Sequence, residues 1–155
     1  MKATHWIIAA AALTFVQPAM AAQTDPEVIL YRFPGVFDNG GGASTGVATV
    51  FHCTNFSGVI ETIRFVTRDG NGILIQNSSL PINHLATKTA ATHDTGSANE
   101  SLLLNTGFVS PGTTAIAATS TNIICTAMVI DAGALPPIGV ALRGIRFNPI
   151  PGSQE

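Results

Sequence analysis

Apolar and polar residues alternate with a period of two along most of this chain. The clearest stretch is Glu61-Thr-Ile-Arg-Phe-Val-Thr67, with Ile63 and Phe65 on one side and Thr62, Arg64 and Val66 on the other. Successive side chains of a strand point to opposite faces, so such a run is a strand with one buried face. Asp69-Gly-Asn-Gly72 follows, and Ile73-Leu-Ile-Gln-Asn77 leaves it. Asp-Gly and Asn-Gly tolerate the positive φ of a tight turn, so the two runs predict a hairpin. Residues 28–33 predict a short strand ended by Pro34, and 34–46 a loop centred on Gly40-Gly41-Gly42. Residues 47–55 predict a strand whose inward set is Thr49, Phe51 and Cys53. Residues 80–85, with Pro81, read as a connection, 86–92 as a threonine-rich strand and 94–99 as a loop. A strand begins at 101–105 and extends toward 109, Pro111-Gly112 turns the chain, and strands follow at 113–119 and 122–131. After a loop at 132–137, the last strand spans 138–148 and residues 149–155 form a tail. Outside the N-terminal segment, no stretch has a capped 3.6-residue apolar period. Short strands at near-regular spacing predict an all-β fold, an antiparallel sandwich or barrel.

The first residues break this pattern. Met1-Lys2 carries a positive charge, an apolar run covers 6–16, and Gln17-Pro18 leads to Ala19-Met20-Ala21. This is the layout of a secretory signal peptide, with cleavage expected after Ala21. The apolar run is shorter than the roughly 20 residues a membrane-spanning helix needs. The expected organisation is a signal peptide at 1–21, one β-sandwich domain at 22–148 and a tail at 149–155. The expected product is periplasmic or secreted, with no stable membrane insertion after signal cleavage.

Cleavage there leaves 134 of 155 residues, enough for one core. Charged residues make up 10% of the chain, against about 25% in an average globular protein. With 46% hydrophobic residues the chain has the material to fold. No basic stripe is present to neutralise phosphates, which argues against nucleic acid as a partner.

The cysteines, Cys53 and Cys125, stand 72 positions apart, each among alternating apolar residues. Export would place them where disulfides persist, so they are expected to form one bond joining an early strand to a late one across the core. No Cys-x-x-Cys or paired histidines complete a metal site around them, and no cofactor motif is present. A disulfide between an early and a late strand resembles the immunoglobulin-type sandwich, which implies a Greek-key fold with an inter-sheet bond. The tyrosine that type of domain places two residues before its second cysteine is Ile123 here. The strings His52-Cys-Thr-Asn-Phe-Ser-Gly58, Ala118-Thr-Ser-Thr-Asn-Ile-Ile-Cys-Thr-Ala-Met128 and Gly144-Ile-Arg-Phe-Asn-Pro-Ile-Pro-Gly152 resemble those of short, exported, uncharacterised bacterial proteins. That resemblance implies a bacterial exported protein and supplies no activity.

Candidate chemistry is sparse. Asp94-Thr95-Gly96-Ser97 matches the aspartic-protease signature, in which two aspartates share a proton, so one copy per chain would require a homodimer. The same tetrapeptide is ordinary turn chemistry, and Ala91-Thr92-His93 before it lacks the apolar lead-in of those enzymes. Gly42-Ala-Ser-Thr-Gly46 matches G-x-S-x-G, but no strand precedes it and no helix is predicted after it. His52 should face away from Cys53; His84 and His93 with Asp94 could form a surface metal site, but no spaced ligand pair is present, so scattered surface histidines are expected. Arg64 and Arg68 share a strand face, a solvated face or an anion site. Asn55, Asn77 and Asn99 head glycosylation sequons. The expected function is a non-enzymatic exported module that binds an unknown protein or glycan, or self-associates through strand edges. The alternative is a dimeric aspartic protease using Asp94, Thr95 and Gly96.

Overall fold

The computed structural model describes residues 27–147, and all regular structure in them is β. The strands are β1 (Val28–Asp38), β2 (Val47–Asn55), β3 (Glu61–Arg68), β4 (Leu74–Ile82), β5 (Thr87–Ala91), β6 (Leu102–Leu103), β7 (Val109–Ala118), β8 (Ile123–Asp131), β9 (Gly139–Leu142) and β10 (Ile145–Arg146). They form two five-stranded sheets, ordered β10-β1-β7-β3-β4 and β6-β5-β2-β8-β9. Every pairing is antiparallel except β5 with β6. The predicted signal peptide (1–21) and tail (149–155) lie outside the described residues.

The sheets pack face to face over an aromatic column. Phe33 of β1 meets Phe51 of β2 at 5.7 Å between ring centroids, and Phe51 meets Phe65 of β3 at 5.8 Å. Leu30, Ile63, Ile82, Leu104, Ile116 and Ile123 fill the space around them, all fully buried. These are the inward positions of the alternating runs, and removal of their apolar area from water drives the stacking. A smaller cluster of Val50, Ala91 and Ile130 sits on the outer face of the second sheet, with Ala98 and Met128 packed over it.

Three prolines expected to interrupt strands lie inside them. Pro34 and the following Gly35, at φ 82°, occupy a register shift in β1, which continues to Asp38. Pro111 and Gly112 sit within β7. A side chain on Gly112 would lie 2.6 Å from the Arg68 carbonyl oxygen, so only glycine lets the strands approach. Pro81 pairs with Thr62, whose amide donates to Thr119 Oγ1 and whose carbonyl accepts from the Thr119 amide. The Thr62 backbone is thus turned toward β7, which leaves the Pro81 nitrogen facing away from β3, where its missing N–H breaks no ladder bond.

Two other expectations change. Residues 104–108 do not extend β6, and the final strand is divided. β9 pairs with β8 in one sheet, and β10 pairs with β1 in the other. The chain crosses between sheets at Arg143-Gly144, where a side chain on Gly144 would lie 2.3 Å from the Phe33 ring. One extended segment thereby closes a whole side of the sandwich.

Cys53 and Cys125 are bonded, as expected, but not between sheets. They stand directly opposite each other on the neighbouring strands β2 and β8, with Cα atoms 4.2 Å apart. Alternation placed both sulfurs on the inward face and carried no information on which sheet each strand joins. The bond therefore ties strands within a sheet, and the inter-sheet bond implied by the immunoglobulin-type resemblance is absent.

Candidate functional site

The strongest polar constellation lies at the end of β1. Asp38 is fully buried. Its Oδ1 accepts from the Gly40 amide at 2.7 Å, and its Oδ2 accepts from the Thr106 hydroxyl at 3.3 Å. His93 Nδ1 faces the same Oδ2 at 2.8 Å, and His93 Nε2 donates to the Thr45 carbonyl oxygen at 3.1 Å. Both ring nitrogens thus face oxygen atoms. The pair and its partners come from four segments: the end of β1, the glycine-rich connection 39–46, the residues after β5 and the stretch between β6 and β7. Its effect is to pin that connection onto the sandwich.

An Asp–His pair invites comparison with a nucleophile-activating dyad. In such a dyad one ring nitrogen binds the carboxylate and the other is free to take a proton from the nucleophile. Here the second nitrogen is bonded to a backbone carbonyl. Ser44, the serine of the G-x-S-x-G match, occupies a turn closed by the Thr45 amide on the Gly42 carbonyl, and its φ of 56° is the value the third position of a type II turn requires. A strand, β2, follows it.

Asp94 is exposed, and its carbonyl oxygen accepts from the Ser44 amide at 2.9 Å. Thr95 is buried. Its amide and hydroxyl both donate to the Glu100 carboxylate, and its hydroxyl accepts from the Ala98 amide. The Gly96 amide donates to the Ala132 carbonyl at 2.8 Å. Thr95 and Gly96 therefore hold a loop against its neighbours, and the Asp94 carboxylate stands on the outside of that loop.

The histidines do not converge. His84 Nδ1 accepts from the Gly58 amide after β2, whereas His93 lies by the connection before β2, so they mark opposite ends of the sandwich. The expectation that His93 is a surface residue is overturned by its burial against Asp38. Among the described residues no group of three or more His, Cys, Asp or Glu side chains could hold a metal. His52 faces away from the disulfide, as expected, with Nδ1 3.0 Å from Thr89 Oγ1.

Burial pushes His52 below the ordinary value of 6.5. A site that disfavours protonation in the folded chain contributes stability above the unfolded value, and that contribution is lost as pH falls through the folded one. The unfolding midpoint should therefore drop on acidification below pH 6.5, and His52→Gln should remove this component. Urea unfolding of both proteins across that window checks it; identical pH profiles would refute it.

Arg64 and Arg68 form no common anion site. Arg64 pairs with Glu27, and Arg68 donates to the Gly72 carbonyl at 2.9 Å, bracing the hairpin. Asn55 is fully buried and donates to the Val59 and Ile82 carbonyls, so its sequon is closed to modification, whereas Asn77 and Asn99 are exposed. Sequence reasoning missed the Asp38–His93 pair because its members stand 55 residues apart and neither belongs to a spaced motif.

Among the described residues, five of the fourteen large apolar side chains left exposed lie toward one end of the sandwich. At the end where β2 finishes, Phe56, Val59 and Ile60 are 49, 62 and 68% exposed. Leu85 and Ile124 add 65 and 50%. The Phe56 amide donates to the Asn122 carbonyl and the Leu85 amide to the Asn55 carbonyl, which draws three connections together.

No family model, no curated protein and no solved structure matches this chain. Among the described residues, no helix is long and apolar enough to cross a membrane.

Proposed function

We propose that this chain is a non-enzymatic β-sandwich module with a binding or structural role, exported to the periplasm or the extracellular space. One observation carries the reading. The candidate catalytic groups are bonded into the fold or isolated on turns, while large apolar side chains from two connections and the start of β8 stand in the open at one end. Grouped exposed apolar residues mark surfaces that meet another molecule. The partner class is a protein, a glycan or the chain itself. Export is supported by the pattern of residues 1–21 and by a disulfide, a bond that persists in oxidising compartments.

The competing acid-protease reading makes a clear comparison available. The purified protein and its Asp94→Asn variant should be equally inert toward denatured protein substrates at acidic pH. Cleavage that disappears in the variant would overturn the module reading.

A further inference from the structure

We infer that the free edge of β4 is a site of pairing with a second copy of this chain, held closed in the monomer by Gln76. The inference rests on the reading of the chain as a binding module and names the surface and partner. Among the described residues, four strands end the two sheets, and three of them are short: β6 and β10 have two residues each and β9 has four. The fourth, β4, has nine, and Leu74-Ile-Gln-Asn-Ser-Ser-Leu-Pro-Ile82 contains no charged side chain. Natural edge strands are usually blunted by shortness, charge or proline, and β4 has only Pro81, next to its end. A strand that pairs with its own copy about a two-fold axis brings the charges nearest the axis close to their own equivalents, so an edge uncharged at its centre suits that partner.

The register fixes which groups are on offer. Thr62 turns its backbone toward β7, so Pro81 opposite it faces outward. Alternation then turns Ser79 and Asn77, opposite Arg64 and Val66, outward as well. The edge presents the N–H groups of Asn77 and Ser79 and the carbonyls of Asn77, Ser79 and Pro81. Pro81 has no N–H and ends the ladder. An antiparallel copy with Asn77 of each chain opposite Ser79 of the other makes about four backbone hydrogen bonds.

One of those donors is already engaged. The Asn77 amide donates to the Gln76 side-chain Oε1 at 2.9 Å, and Gln76 Nε2 donates to the Leu104 carbonyl on the far sheet. Gln76 thus spans the open side of the sandwich and covers the centre of the pairing edge. Self-pairing requires its amide to release Asn77.

Sedimentation velocity of the purified full chain over a concentration series tests this. Gln76→Ala should dimerise at concentrations at least about tenfold lower than the unaltered protein, and adding Ser79→Lys should return it to monomer, because a lysine blunts the edge and the two lysines lie diagonally across the axis. Gln76→Leu, which keeps the side-chain bulk, gives the same comparison if alanine unfolds the chain. A released-latch variant no more associated than the unaltered protein would overturn the inference, as would a dimer that survives Ser79→Lys. Either result leaves the Asp94 comparison, which tests the module reading, unaffected.

Discussion

Replacing Cys53 and Cys125 together by alanine is expected to lower the unfolding free energy by about 4 kcal/mol. The bond closes a 72-residue separation, and without it the unfolded chain regains the conformations that the cross-link excludes. The position sharpens the effect. β2 and β8 are neighbours inside their sheet, and the cysteines form the third pair from one end of their nine-residue register, both on the buried face. Alanine also leaves unfilled volume beside Phe51 and Ile123, which adds to the loss. Since a domain of this size holds about 5–15 kcal/mol in total, the variant should be marginal at 37 °C. Guanidinium unfolding of the native, reduced and alanine-substituted proteins measures this. A difference below about 1 kcal/mol between native and reduced chains would show that the bond adds little to what the strand pairing already supplies.

The second large effect is expected at Asp38. Asp38→Ala removes the acceptor for the Gly40 amide, the Thr106 hydroxyl and a His93 ring nitrogen at once, in a place closed to water. Breaking a buried pair by deleting one partner costs about 3–5 kcal/mol, because the other group is left desolvated and unmatched. His93→Ala strands the carboxylate in the same way. The double variant should then lose less than the sum of the singles, by about 1 kcal/mol or more. Denaturant unfolding of the four proteins gives this coupling, and additive losses would show that the two side chains do not act as a unit.

The parts of the fold that follow local rules were legible. Asp69-Gly-Asn-Gly72 marked the β3–β4 hairpin, and the alternation around Ile63, Phe65, Phe51 and Cys53 correctly named inward residues. Prolines misled, because what decides their tolerance is the direction of one backbone nitrogen. Pro81 continues a strand only since Thr62 is turned toward β7, a fact set by a pairing that no local window contains. The location of the disulfide failed for a related reason: alternation gives the face of a strand and not its sheet. The Asp38–His93 pair was invisible because burial creates it. Asp94, which carried the most suggestive motif, stands exposed on a loop whose neighbours are held by Glu100 and Ala132.

The way β1 and β2 are partnered bears on how the chain reaches its native form. Tyr31 waits for Ile116 and Arg146, and Phe51, flanked by Ala90 from mid-chain, still waits for Ala127, so β1 has no sheet neighbour until β7 and β2 has only one until β8. Such distant partners make for late, all-at-once assembly and slow folding. A ribosome or secretion channel feeding this polypeptide from its N-terminus would hold β1 unmatched and β2 covered on one side only until β7 and β8 emerge, and a chaperone guarding them is the help this architecture calls for.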